Sequence, residues 1–513
     1  MLDAKREGAY ETPATLVDRC IDRASTLLRG RTELHVLEPS AGSGAFVEGM
    51  SRHELRASIA HVVAIEPHPL RAAACRDALA REELSNSVLE ASALDASIPP
   101  VDVVIGNPPF VRFQHVDAAE AAGTTNLWTR VLRAALDALR PYGVFVLLLP
   151  GELLSGVSAG PVRHWLLRHF DDLEVELVAP AAFRGVQSEI VMLSGRRRAS
   201  ERDATVITVL DSGVQFEHRL RASEATWTRW LLPPEALSAM NSITASASVT
   251  QLGDVARFEL GATTGANDWF CIDDHTRVSH VLTPWARPHL ARTRDARGLR
   301  FTEDDHQVLA SRGKPAWLLD FGAEPDPMNT PDARAYIDQG AATGVAQRHK
   351  CRIRSRWYRL PNPVAAPLML PKRAHRHPVL IENLAGAVTT DTIYRGWPTD
   401  AALSPADLIV AFGSTVTQLS AELEGRVLGG GALELVPSAI ARLAVIRAPG
   451  IGTTLPALDA IVRRRHPLDV DDAIVDGADR LLASRVGLDV EELFTLRHAR
   501  DRLLTRRLGR PGG

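Results

Sequence analysis

The stretch Val101-Asp102-Val103-Val104-Ile105-Gly106-Asn107-Pro108-Pro109-Phe110 decides the fold. Its first residues form an apolar run of strand length, the pattern of a strand buried on both faces. The run ends at a glycine and turns a stiff corner, because each proline holds φ near about −65°. At that corner the Asn107 amide oxygen and the Pro108 carbonyl can both accept from one exocyclic NH2, while Phe110 offers a flat face to a stacked ring. This suits adenine, held with little ordering entropy left to lose. An ordinary Pro-Pro turn after a strand has the same composition, so the neighbouring motifs decide between the two.

Upstream, His35-Val36-Leu37-Glu38-Pro39-Ser40-Ala41-Gly42-Ser43-Gly44-Ala45-Phe46 reads as a short buried strand that breaks into a glycine loop and then a helix. Glycines there let backbone approach a ligand closely. The dinucleotide fingerprint is incomplete because its third glycine is displaced to Gly49, so a ligand smaller than a dinucleotide is expected. A second strand, His61-Val62-Val63-Ala64-Ile65, ends in Glu66, 28 residues after Glu38. A carboxylate at that strand end can accept both hydroxyls of a ribose, although a solvated strand-end acid would look the same.

Through the first two hundred residues, apolar segments of strand length alternate with amphipathic helical ones. Strands over 34–38, 61–66, 87–91, 101–106, 143–149, 173–179 and 188–194, with helices near 14–28, 69–81, 126–139 and 161–169, predict an α/β fold with a Rossmann-like, doubly wound sheet. Glu38, Glu66 and Asn107 then share the carboxyl rim of the sheet, where ligands collect at the switch in strand order.

With Gly8-Ala9-Tyr10-Glu11-Thr12-Pro13 ahead of the glycine loop, these segments resemble the gamma-class DNA adenine-N6 methyltransferases of the type II restriction-modification family. The resemblance covers essentially the whole chain, with high specificity in the first two hundred residues and a diffuse match beyond. It implies S-adenosylmethionine as cofactor, held by Tyr10, Thr12, Pro13, Glu38, Pro39, Ser40, Gly42, Gly44, Phe46, Glu66, Pro67 and Asn107. It also implies catalysis by Asn107, Pro108, Pro109 and Phe110 on an adenine flipped out of duplex DNA. Phe183, in Ala182-Phe183-Arg184-Gly185, stands where the family supplies a second aromatic, unless it is a core residue at a loop edge. No metal is called for, since displacement at a sulfonium needs alignment above all. One departure concerns the acid that usually binds the cofactor's adenine: here the stretch reads Leu89-Glu90-Ala91-Ser92-Ala93-Leu94-Asp95, leaving Ser92 or Asp95 for that contact.

The expected domains are 1–198 for the cofactor-binding catalytic part, 199–245 for a connector opening after Arg196-Arg197-Arg198, and 246–513 for an α+β DNA target recognition domain with a helical carboxyl-terminal part. Residues 341–380 carry nine Lys or Arg and no Asp or Glu, in a protein of net charge −3. Local sign is what a polyanion meets. Arg352, Arg354 and Arg356 are expected to alternate on one face of an extended strand, with Arg348, Lys350, Trp357 and Tyr358 beside them and Lys372 and Arg373 closing another strand. A solvated basic edge strand is the alternative. Residues 261–270 are expected to form a flexible loop.

A chain of 513 residues with 45% hydrophobic content can bury two or three cores. Cys20, Cys75, Cys271 and Cys351 have neither disulfide nor zinc-site spacing, which suggests a reducing cytoplasm. Neither an apolar signal core nor a membrane-length apolar run is present in the sequence. The implied partners are double-stranded DNA and a separately encoded restriction endonuclease acting on the same site, because Thr12-Pro13 lies so near the start that no nuclease domain is expected before it. Two alternatives share these motifs: a protein glutamine-N5 or RNA methyltransferase using the same corner, and a DNA-binding adaptor without catalysis. The long carboxyl half with its basic patch speaks against the first, and the intact Asn107 and Glu66 against the second.

Overall fold

The computed structural model describes residues 11–109, 127–178, 190–211, 213–221, 226–428, 431–465 and 470–509. They divide into two compact units. The first runs to Leu237 and takes in Val427–Gly431 and the carboxyl-terminal residues from Thr505; the second holds Ser238–Arg426 and Ala432–Leu504.

The first unit is built on one sheet. Its strands are β1 (Leu34–Glu38), β2 (Ile59–Ile65), β3 (Asn86–Leu89), β4 (Val101–Gly106), β5 (Leu139–Pro150), β6 (Phe170–Leu177), β7 (Ile190–Arg197), β8 (Ala204–Asp211) and β9 (Val214–Arg221). They lie in the order β3-β2-β1-β4-β5-β7-β6-β8-β9. Strands β1 to β5 pair in parallel, and β7 runs antiparallel to both β5 and β6. The chain moves outward from β1 to β2 and β3, then crosses back to β4 on the other side. The switch in strand order therefore falls between β1 and β4.

Sequence dictates these elements directly. Strand β4 is buried along its whole length, as a central parallel strand covered on both faces must be. Helix α1 (Ala14–Leu28) buries Leu16, Val17, Cys20, Ile21, Ala24, Leu27 and Leu28, a stripe at spacings of three and four. Each fully buried Leu or Ile there contributes about 1.5–3 kcal/mol. The helix stops where Arg29 turns left-handed, at φ 49°. Helices α2 (Ala45–Arg52), α3 (Pro69–Arg81), α4 (Leu127–Asp137) and α5 (Gly160–His169) complete the layers.

Two expectations give way here. Residues 204–211 and 214–221, placed in a connector, are strands that extend the sheet, with β8 parallel to β6 and β9 antiparallel to β8. The arginine run read as a boundary is the end of β7 and its immediate continuation. Each of the three guanidiniums donates to carbonyls in the last turn of a different helix: Arg196 to Leu27 in α1, Arg197 to Leu136 in α4, and Arg198 to Leu167 and Arg168 in α5. Cations there satisfy orphan carbonyls and oppose the helix dipoles, so the run binds the layers together.

The second unit centres on a five-stranded sheet in the order 256–260, 393–398, 368–371, 381–383, 300–301. Leu290, Phe301, Met369, Ile381 and Ile393 pack in one apolar cluster, and Trp269, Phe270, Trp285, Phe321 and Tyr336 in another. Helices Pro405–Phe412, Thr415–Glu424, Leu455–Arg464, Val470–Val486 and Val490–Arg507 account for most of the carboxyl-terminal part. The expected loop at 261–270 is packed rather than open, with Thr264 only 1% exposed and Ala262 and Ala266 buried. Among the described residues no helix is long and apolar enough to cross a membrane.

Candidate active site

Adjacent strands β2, β1 and β4 end on one rim, and each delivers a polar residue there: Glu66 just past β2, Glu38 as the last residue of β1, and Asn107 just past β4. Gly106 makes the corner possible, at φ +153°, with an added Cβ meeting Pro39 Cδ at 3.4 Å and Glu38 Cγ at 3.5 Å. Pro108 is buried and Pro109 half-buried. The Asn107 side-chain nitrogen donates to Thr12 Oγ1 at 3.2 Å. Its Oδ1 is buried and has no partner among the described residues, and the same holds for Glu38 Oε2 and His68 Nδ1. A buried polar atom left unpaired costs about 1–3 kcal/mol. Three on one rim make this the natural place to look for a ligand.

The glycine loop is held by Glu66. Its Oε2 accepts from the Gly42 amide at 3.0 Å, and its Oε1 accepts from the His68 amide at 3.0 Å and Arg71 Nε at 2.9 Å. Gly42 sits at φ +56° with nothing within 4 Å of where a side chain would start, so ligand can approach its backbone. Gly44, at φ +99°, lies against α3, where an added Cβ would stand 3.2 Å from Ala78 Cβ, and opens α2. Burial raises the Glu38 carboxyl well above the ordinary range, and the neighbouring Glu66 charge raises it further. With Glu66 paired to Arg71, the buried Glu38 carboxyl under an open glycine turn is the one that suits a cationic ligand.

The remaining expected cofactor residues divide by position. Thr12 is buried, with Pro13 as the amino-terminal cap of α1; Ser40 donates to the Pro39 carbonyl; Pro67 is exposed. Phe46 is 1% exposed within the apolar core, so it supports α2 from below rather than contacting a ligand. Ser92 Oγ accepts from the Leu94 amide in a turn after β3, and Asp95 is exposed on the same turn. Tyr10, Phe110 and Phe183 lie outside the described residues. Sequence reading missed His68 and Arg71, which fix Glu66; Arg71 could have been noticed as the cation one turn into the helix behind that acid.

In the second unit the expected basic strand does not exist. His349–Arg352 is a short helix, and irregular turns follow it. Arg354 is half-buried and donates to the carbonyls of Thr263, Thr264 and Trp357, bracing the packed loop. Arg348 pairs with Asp268, while Arg356 and Arg359 share Asp326. Trp357 packs on Trp269, their centroids 4.7 Å apart, and Tyr358 is 8% exposed beside Phe321, so both serve the aromatic core. Lys350 and Arg352 remain exposed. Lys372 and Arg373 lie near Glu434, at 3.9 and 3.0 Å.

The sheet order, with its antiparallel seventh strand between the fifth and sixth, defines a class I methyltransferase fold, whose members use S-adenosylmethionine. The family model described as "Type II methyltransferase M.Eco57I, C-terminal domain" matches residues 224–482. The chain belongs to this family of type II restriction-modification methyltransferases. Type II methyltransferase M.XamI of Xanthomonas campestris pv. amaranthicola is 22% identical over 482 residues, covering 86% of this chain and 85% of that protein. M.BanIII of Aneurinibacillus aneurinilyticus is 23% identical over 207 residues, covering 34% of this chain and 36% of its own length. Among solved structures, the type IIL restriction-modification enzyme MmeI in complex with DNA shares the fold at a TM-score of 0.54 and 12% identity, covering 96% of this chain and 75% of that one.

Proposed function

We propose that this chain transfers a methyl group from S-adenosylmethionine to the N6 amine of an adenine extruded from duplex DNA, as the modification enzyme of a restriction-modification system. The observation that carries the reading is the buried Asn107 Oδ1, an acceptor without a partner among the described residues, at the tip of β4 beside the strand-order switch. The cofactor fits what surrounds it: an unobstructed Gly42 turn, the unpartnered Glu38 carboxyl for the positive end of the ligand, and Glu66 at the strand end read for the ribose. Bound there, S-adenosylmethionine supplies an electrophilic methyl group on sulfur.

This chain's residues do the rest. An adenine amine is a weak nucleophile because its lone pair is delocalised into the ring. Asn107 Oδ1 and the Pro108 carbonyl, accepting hydrogen bonds from its two N–H groups, favour a pyramidal nitrogen and stabilise positive charge as the N–C bond forms and the methyl–sulfur bond breaks; one of the two protons then leaves to solvent. The proline corner keeps both acceptors aimed, so little reorganisation accompanies the reaction. Phe110 follows directly in sequence and is assigned the stacking face.

The test is incubation with labelled S-adenosylmethionine and, separately, duplex DNA, RNA and a glutamine-bearing release factor, followed by mass spectrometry of the products. The reading expects 6-methyladenine from duplex DNA alone and its loss in Asn107→Ala, with cofactor affinity near normal. Methylated glutamine, or full turnover by the variant, would overturn it.

A further inference from the structure

A phosphate can engage only a cation that is not already spoken for, and this criterion sorts the arginines of the second unit. Releasing Arg348 from Asp268, Arg356 from Asp326, or Arg354 from the Thr263 and Thr264 carbonyls breaks a native contact before any new one forms. The turn at 292–297 differs. Arg292, Arg294 and Arg297 are all exposed, and none of their guanidiniums has an ion pair or hydrogen bond among the described residues. Three positive charges stand against one acid in the turn, Asp295, for a local balance of 3 − 1 = +2.

The turn is also held in shape. The Asp295 amide donates to the Arg292 carbonyl and the Ala296 amide to the Thr293 carbonyl, both at 3.0 Å. At one end Thr392 Oγ1 donates to the Ala291 carbonyl at 3.1 Å, and at the other the buried Leu299 amide donates to Asp459 Oδ1 at 2.7 Å. The Thr392 carbonyl in turn accepts from the Lys372 amide at 3.0 Å, which sets the turn beside Lys372 and Arg373. A fixed turn carrying unpaired guanidiniums loses little entropy on binding and meets a regularly spaced row of charges with several donors at once.

We infer that Arg292, Arg294 and Arg297 form a phosphate-contacting surface for duplex DNA, taking over the role that sequence reading gave to Arg348, Arg354 and Arg356. This rests on the DNA reading proposed above. Each phosphate contact steepens the dependence of log K on log salt by about 0.9.

The experiment measures equilibrium binding of the full chain to duplex DNA across a salt series. Arg292→Ala/Arg294→Ala/Arg297→Ala should flatten the slope by about 2–3 and weaken binding at low salt by at least about tenfold, with an unchanged melting temperature because no native pair is lost. The matching triple lysine variant should keep most of the slope, and Arg356→Ala/Arg359→Ala should leave it unaltered. A wild-type slope in the triple alanine variant would overturn the surface alone. Wild-type protein without salt-dependent DNA binding would overturn the DNA reading, and the surface with it.

Discussion

Asn107 and Thr12 stand 95 residues apart in the chain, yet the asparagine amide nitrogen donates to the threonine hydroxyl across 3.2 Å. That contact uses the end of the amide that the proposed chemistry does not need and leaves Oδ1 without a partner among the described residues. Thr12, expected as a cofactor contact, is thereby also placed to position Asn107. Thr12→Val keeps the shape and removes the acceptor. At about 1 kcal/mol for one hydrogen bond, kcat should fall roughly fivefold, while KM for DNA holds. Thr12→Ser should restore the rate. Steady-state kinetics check this, and an unchanged kcat in the valine variant removes Thr12 from the site.

Arg354 is a structural brace. Its guanidinium satisfies three backbone carbonyls around the packed 261–266 loop, where an added Cβ on Gly261 would stand 2.2 Å from the Thr390 carbonyl oxygen. Arg354→Ala should cost about 2 kcal/mol of stability in the second unit and leave the salt dependence of DNA binding unaltered. Denaturant unfolding beside a binding series separates the two effects. A flattened salt slope at wild-type stability would return Arg354 to an interface.

These two residues mark how far sequence carries. Around Asn107 almost everything was legible, because a parallel strand covered on both faces shows as an unbroken apolar run and the proline corner stands at the end of one. The contact to Thr12 was not, since pairing across that distance depends on tertiary packing. Arg354 was misread because charge alone cannot separate a cation that faces solvent from one that feeds carbonyls. Arg196, Arg197 and Arg198 failed for the same reason: a basic run resembles a linker until the helix ends it caps are in place. The alternating β9, with Phe216, His218 and Leu220 buried between exposed neighbours, could have been read as a strand had that run not been taken for a boundary.

Glu38 should couple stability to pH. Burial, reinforced by the Glu66 charge, raises its carboxyl well above the ordinary value, so the folded chain holds this proton more tightly than the unfolded one. The resulting stabilisation is complete below about pH 4 and is lost as pH rises through the raised folded value. Glu38→Gln, neutral at every pH, should remove that loss and leave the ligand-free protein at least as stable as wild type near neutrality. It should also weaken binding of cationic S-adenosylmethionine severalfold. Urea unfolding over a pH series and calorimetric titration test both; parallel stability profiles would show that Glu38 titrates normally.

His289 works in the opposite sense. It is fully buried, Nδ1 lies 2.8 Å from the Val388 carbonyl oxygen, and Nε2 has no partner among the described residues. Burial lowers its pKa to about 4; the Val388 hydrogen bond opposes that shift, and the nearby His306 adds to it. The unfolded chain takes up a proton near pH 6.5 that the folded one refuses, so this contribution is complete above that value and drains away as pH falls toward 4. The full span is about 3 kcal/mol, of which about 2 is gone by about pH 5. His289→Asn cannot ionise, so it should lose less stability than wild type between neutral pH and about pH 5, whatever its starting value. Urea midpoints at the two ends measure the difference, and equal losses in the two proteins would show that the acid sensitivity of the second unit lies elsewhere.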